Sequence, residues 1–167
     1  LSEVEMRLAR YMAEERGGVS RADGVSNQRI SKESDMEIEF IGACGELSVA
    51  RELGVYPDLS VQSRSGGYDL HSRAGKRMEV KTTRLKYGKL VARPKARVED
   101  SDFYVLVAGD PPDMFIKGYI ATQEFLIPSR LGKLSSDYPE AFLASQGELI
   151  PWPTTIKDSA PSTNTPS

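Results

Sequence analysis

One cysteine, one histidine and one tryptophan are all that this chain of 167 residues holds of those three types. A lone Cys44 cannot close an internal bridge, so a disulfide-stapled secreted scaffold is excluded and a reducing, cytoplasmic setting is expected. With only His71 to join it, there is no Cys/His set from which to build a structural zinc site. Long apolar runs are missing as well. None approaches the ~18 to 20 residues that a membrane span requires, and the charged, amphipathic start is unlike a signal sequence, so no membrane partner is expected. The chain begins at Leu1 rather than Met, which leaves a preceding leader open.

What is present is ordinary in amount and uneven in placement. Charged residues make up 28% and hydrophobic ones 39%, a balance that argues for a folded chain. The length suits one domain with a real core, expected over residues 1–152, and the Pro-, Ser- and Thr-rich end, residues 153–167, is expected to be a disordered tail. The net charge of −2 conceals a strong asymmetry: residues 73–97 carry ten Lys or Arg against the single acid Glu79. That band is +9, while the remaining 12 basic and 23 acidic residues carry −11. A cationic band on an acidic body fits a polyanion partner, since neutralising phosphates releases counterions, although a solvated surface loop has the same composition.

The spacing of Val4, Leu8, Tyr11 and Met12 predicts an amphipathic helix over residues 2–16, stopped by Gly17-Gly18 and followed by a polar loop over 17–32. Ser34 or Asp35 can cap a second helix that runs through Ile38, Ile41, Leu47 and Leu53 to Gly54. After Pro57 the period changes from helical to alternating, which predicts strands over 59–62, 68–72 and 77–83. Apolar runs at 103–108 and 114–121 read as buried strands joined across Gly109-Asp110-Pro111-Pro112. Thr122 looks like the cap of a short helical turn through Phe125, and residues 138–145 read as one more short helix. The fold class is then α/β, more narrowly α+β, with a central mixed sheet of about four to five strands flanked by helices.

The chemistry-bearing region is Tyr68-Asp69-Leu70 followed by Met78-Glu79-Val80-Lys81-Thr82-Thr83. Between them Arg73-Ala74-Gly75 suits a three-residue hairpin loop, Gly75 taking the left-handed position. Pairing Ser72 with Lys76 sets Leu70 against Met78 and Asp69 against Glu79. Alternation puts Lys81 on the face of those two acids, with Leu70, Met78 and Val80 on the other. Two carboxylates at cross-strand distance repel unless a cation or proton lies between them, and a hard ion such as Mg²⁺ would serve. Lys81 could orient an attacking water, help lower its pKa, or stabilise charge on a pentacovalent phosphate. Glu46 interrupts the apolar stripe of Ala43, Leu47, Ala50 and Leu53 on the second helix. It is expected to reach the Asp69 and Glu79 site, or else to pair with Arg51 or another base.

In these residues, Gly42-Ala43-Cys44-Gly45-Glu46, Tyr68-Asp69 and Glu79-Val80-Lys81, the chain resembles the PD-(D/E)XK or restriction-endonuclease-like nucleases over roughly residues 35–121. Tyr68 stands where the family's name has Pro. The resemblance implies a core of helix, three strands, helix and strand. Its second helix would fall within residues 86–102, where Pro94 allows only a short one. It also implies a Mg²⁺-dependent endonuclease, with Mn²⁺ able to substitute, that cuts DNA by in-line attack of an activated water and leaves a 5′ phosphate. Asp69, Glu79, Val80 and Glu46 form the implied metal set, and Glu46, Asp69, Glu79 and Lys81 the catalytic one.

Around that set, Arg84, Lys86, Lys89, Arg93, Lys95 and Arg97 could track a phosphate backbone, with Arg64 in the loop before Asp69 as a clamp. RNA in place of DNA stays open, as does a binding module that keeps the basic band without the metal chemistry. A homodimer would be needed for one site per strand. His71 reads as an exposed bystander, Cys44 as a small packing residue and Trp152 as a core cap rather than a base-stacking group.

Overall fold

Ser34 and Gly54 bracket the central helix as their types require. In the computed structural model, which describes residues 1–22, 34–57, 59 and 68–153, Ser34 accepts the Glu37 N–H and Glu37 returns to the Ser34 N–H. Gly54 closes the other end with φ 60°, donating its N–H to Ala50 and Arg51 carbonyls. Helix α2 so defined is Asp35–Leu53, and it is preceded by α1, Glu3–Ala22. Every residue of α2 from Ala43 to Ala50 is buried, because one side meets α1 and the other meets a sheet.

Helix α1 runs past Gly17-Gly18, where the sequence predicts a stop. Its buried residues include Ala9, Met12, Ala13 and Gly17, and Ala9 and Met12 pack against Ala43, Cys44 and Leu47 of α2. Packing on this side outweighs the ~1 kcal/mol that each helical glycine costs. Val4 and Tyr11, expected on the apolar stripe, are 68% and 54% exposed. Cys44 is fully buried, and burial pushes its thiol pKa up to about 11, in keeping with a packing role.

The strands are β1 Leu70–His71, β2 Arg77–Thr83, β3 Leu90–Ala92, β4 Phe103–Asp110, β5 Asp113–Ala121, β6 Leu131–Gly132 and β7 Ala141–Ala144, with a one-turn helix α3 at Thr122–Phe125. A four-stranded sheet has the order β1-β2-β4-β5, with β2 and β4 parallel and the other pairs antiparallel, so it is mixed as expected. A second sheet has the antiparallel order β3-β7-β6. Alternation along β4 divides the core in two. Val105 and Val107 join Leu70, Met78 and Val80 against Val49 of α2, while Tyr104 and Leu106 join Ile120 against Leu90, Phe142 and Ala144 of the second sheet and Phe125 of α3.

Three local expectations are corrected. Residues 138–145 hold strand β7 rather than a helix, because Ala141, Phe142 and Ala144 bury themselves as a strand between β3 and β6. Residues 86–102 hold β3 and turns rather than a second core helix, and Leu90 and Ala92 of β3 are buried in the core beside Tyr104 and Leu106. Thr122 is the first residue of α3 and not its cap, its hydroxyl being paired with Ser101 at 3.1 Å. Trp152 packs edge-on against Tyr119 at the rim of the α2-side core. The expected strand at 59–62 and the expected tail at 153–167 lie outside the described residues, apart from Leu59 and Pro153. Among the described residues no helix is long and apolar enough to cross a membrane.

Candidate active site

The hairpin between β1 and β2 sets the site. Ser72 donates its N–H to Lys76 O (2.8 Å), Gly75 donates to Ser72 O (2.9 Å), and Gly75 takes φ 75°, the left-handed value that made glycine the expected residue there. The register is Leu70 with Met78 and His71 with Arg77, as the three-residue loop predicts. One residue further on, the Asp69 N–H donates to Met78 O (2.8 Å), and its carboxylate Oδ2 accepts the Val80 N–H (2.7 Å). Asp69 therefore grips the main chain on either side of Glu79.

Glu79 and Lys81 stand on the face of β2 opposite Met78 and Val80. Their partners on β4 are Tyr104 and Leu106. Lys81 Nζ donates to Glu79 Oε1 at 2.5 Å. The repulsion expected between Asp69 and Glu79 is thus offset within the protein, by the Val80 N–H at one acid and the Lys81 ammonium at the other. Burial opposes the charge on Lys81, but Glu79 first and Asp69 second overcome it and hold the amine above its ordinary pKa. Burial, and then Glu79, push the neighbouring Tyr104 phenol up to about 12. Val80 buries its side chain in the α2-side core and spends its N–H on Asp69, so only its carbonyl could face an ion.

Glu46 belongs to a different arrangement. It is buried on α2, and Arg16 of α1 grips both its oxygens at 3.0 and 2.8 Å. The expectation of a pairing with a base holds, with Arg16 in place of Arg51, which lies instead near Glu5 at 3.5 Å. Among the described residues no three His, Cys, Asp or Glu side chains form a group able to hold a metal ion. The three acids expected in one metal set are therefore not gathered as one. Asp69 and Glu79 are brought together, and Glu46 is turned to Arg16. Sequence spacing carries no signal for that partner, 30 residues earlier and on another helix.

The basic band lies on the surface and is partly paired there. Arg84 pairs with Asp110 at 2.7 Å and Arg97 with Asp100 at 2.8 Å, and Lys86, Lys89, Arg93 and Lys95 are exposed as they are. Arg64 lies outside the described residues. A groove of about 350 Å³ opens beside Asp69, lined by Tyr56, Tyr68, Asp69, Leu70 and His71. His71 is exposed as expected, with its ring edge-on to Tyr68 at 4.6 Å. The groove brings Tyr56, from just after α2, to the site's edge, and an isolated tyrosine in a loop gives no warning of that in the sequence. Comparison with protein-family models, with curated proteins and with solved structures finds no match to the chain.

Proposed function

We propose that the chain is a Mg²⁺-dependent endonuclease that hydrolyses phosphodiester bonds of DNA, with Asp69, Glu79 and Lys81 as its reactive set. The observation that carries this reading is the grip of Asp69 on both sides of Glu79, with Lys81 on the same face and bonded to Glu79. The donor chemistry suits a hard ion: Mg²⁺ is held by one or two carboxylates, its other positions going to water and substrate phosphate oxygens. When bound, such an ion would supply Lewis-acid polarisation of the phosphate and activation of water. Asp69, fixed by the Val80 N–H, and Glu79 would hold it, and Mn²⁺ should substitute.

Lys81, bonded to Glu79 on the shared face, would position the attacking water, help lower its pKa or stabilise charge developing on the phosphate. Exposed Lys86, Lys89, Arg93 and Lys95 would draw in the backbone without reading sequence. Since one such site cuts one strand, cleavage of both strands would call for two copies of the chain.

The test is a cleavage panel of linear, nicked, single-stranded and branched DNA and of RNA, with Mg²⁺ and with chelator. The expected result is metal-dependent cutting of at least one DNA substrate, abolished in D69N and E79Q proteins that stay folded. Unimpaired cutting by either variant would refute the assignment. A binding module without metal chemistry is the second reading, favoured by the engagement of Glu46 with Arg16. Nucleic-acid binding without cleavage, together with no calorimetric signal from Mn²⁺, would establish it instead.

A further inference from the structure

Leu85 and Tyr87 are 71% and 81% exposed, in the stretch 84–89 where the other exposed side chains, Arg84, Lys86 and Lys89, are all basic. The turn that presents them is built rather than slack. Leu85 donates its N–H to Thr83 Oγ1 (3.2 Å), and Gly88 donates to Leu85 O (2.9 Å). The Gln146 side-chain amide donates to both Lys86 O (2.9 Å) and Gly88 O (3.1 Å). Gln146 is itself held in a capped turn, where Ser145 and Glu148 bond reciprocally and Arg130 reaches Glu148 at 2.8 Å. The main chain of the turn is thus tied to β2 and to the segment after β7, while two apolar side chains stand in water.

Holding a leucine and a tyrosine in solvent gains nothing for the fold, since apolar area is stabilising only when removed from water. The composition names the partner. Arg84 is paired with Asp110, but Lys86 and Lys89, with no acid in the six residues, suit a polyanion, and an exposed aromatic ring suits the flat face of an unstacked base. The Lys86 ammonium lies 5.4 Å from the Tyr87 ring centroid, over one face, and the ring's exposure leaves the opposite face for stacking. The turn also stands next to the chemistry: Thr83, its anchor, is two residues beyond Lys81 on the same face of β2, roughly 7 Å at ~3.3 Å per residue.

We propose that the Leu85-Lys86-Tyr87 turn is a wedge that enters an opened base step beside the scissile phosphate. Tyr87 stacks on an unpaired base, Leu85 fills the space that the base vacates, and Lys86 and Lys89 meet the flanking phosphates. This rests on the nuclease reading of the adjoining site and adds that the substrate is DNA with disrupted stacking, a fork or a distorted duplex, rather than regular duplex.

The experiment uses the full chain in chelator with forked and fully paired DNA carrying 2-aminopurine at the junction or the matching position, alongside cleavage of the same DNA in Mg²⁺. The wild-type protein should raise the fluorescence of the forked probe as the base unstacks. L85A/Y87A should lose that rise and bind the fork about 5- to 150-fold more weakly, the ratio that one base–aromatic stack corresponds to. Its salt dependence should be unchanged, and Y87F should restore the signal, whereas K86A/K89A should flatten the salt dependence. Wild-type protein that binds and cuts without a fluorescence change, or an L85A/Y87A variant indistinguishable from it, would overturn the wedge and leave the nuclease reading standing. A chain that neither binds nor cuts any nucleic acid would sink both. The wedge would equally fall if L85A/Y87A lost binding to anionic phosphatidylserine vesicles but not to DNA.

Discussion

Gly45 on α2 and Thr82 on β2 touch directly, the threonine hydroxyl lying against the glycine's bare Cα where a Cβ would overlap it. This contact brings the central helix close to the strand that carries Glu79 and Lys81. It has a cost, because Thr82 Oγ1 is buried with no hydrogen-bond partner among the described residues.

G45A should therefore lower stability by about 1–3 kcal/mol, the range for overpacking a well-filled contact. T82A alone should stay within ~1 kcal/mol of the parent, since it removes a hydroxyl that is already unsatisfied. The double variant should recover part of the G45A loss, and only part, because the Thr82 Cβ itself lies 3.1 Å from the added methyl. Denaturant midpoints at constant m-value would measure this. G45A with the parent's midpoint would mean that the helix and strand do not meet this closely.

Arg16 and Glu46 should behave as a buried pair rather than as part of the catalytic set. Their side chains are 12% and 11% exposed. R16M would leave Glu46 buried without its bidentate partner and should cost about 3–5 kcal/mol, while R16M/E46L, which removes both charges, should recover most of it. The recovered double variant should still cleave whatever the parent cleaves. Loss of cleavage in a protein restored to parental stability would return Glu46 to the reaction.

For Lys81 the two consequences run in opposite directions. K81M removes a cation that sits on Glu79 and faces Asp69, so calorimetry should find Mn²⁺ bound at least as tightly as by the parent. Cleavage should nevertheless fall roughly 100- to 1000-fold, the loss typical of removing one preorganised electrostatic group. Weaker Mn²⁺ binding by K81M would mean that the amine helps assemble the ion site instead of competing for it.

Acid should act on Glu148. Its bonds from the Ser145 hydroxyl and main chain and from Arg130 pull its pKa down from the ordinary 4.5 to about 2. A carboxyl with a depressed folded-state pKa contributes stability in full above its ordinary value and loses it as pH falls from 4.5 toward 2. The side chain is 49% exposed, so solvent screening limits this to about 1 kcal/mol or less. E148Q should be slightly less stable at neutral pH and lose less than the parent across that window. Thermal melts at a series of pH values would test this, and parallel curves would contradict it.

The strongest sequence signals were those with short-range causes. The cap pair Ser34 and Glu37, the stop at Gly54, the hairpin glycine at 75 and the alternation through β2 each act within a few residues, and each element formed where its residues require. Expectations failed where a distant partner decided. Ala141-Phe142-Leu143-Ala144 has the composition of a helix and becomes a strand because β3 and β6 lie ready to pair with it. Gly17 and Gly18 read as a helix stop, yet Gly17 is buried and α1, packed along α2, continues to Ala22. The same distinction divides the site. Asp69, Glu79 and Lys81 lie within one hairpin and their neighbourhood followed from its loop length, whereas Glu46 depended on which helix would lie beside α2.

Strand β4 lends alternate side chains to both halves of the interior, Val105 and Val107 to one and Tyr104 and Leu106 to the other. Peeling away either cover would strip one flank of the same strand and weaken the grip of the other. The molecule should accordingly melt as a single unit, and the amides of β4 should be the last to exchange with deuterated solvent. Its neighbour β2 would inherit that rigidity, so the Glu79 carboxylate and the Lys81 amine that it carries would be positioned by the slowest-opening part of the protein.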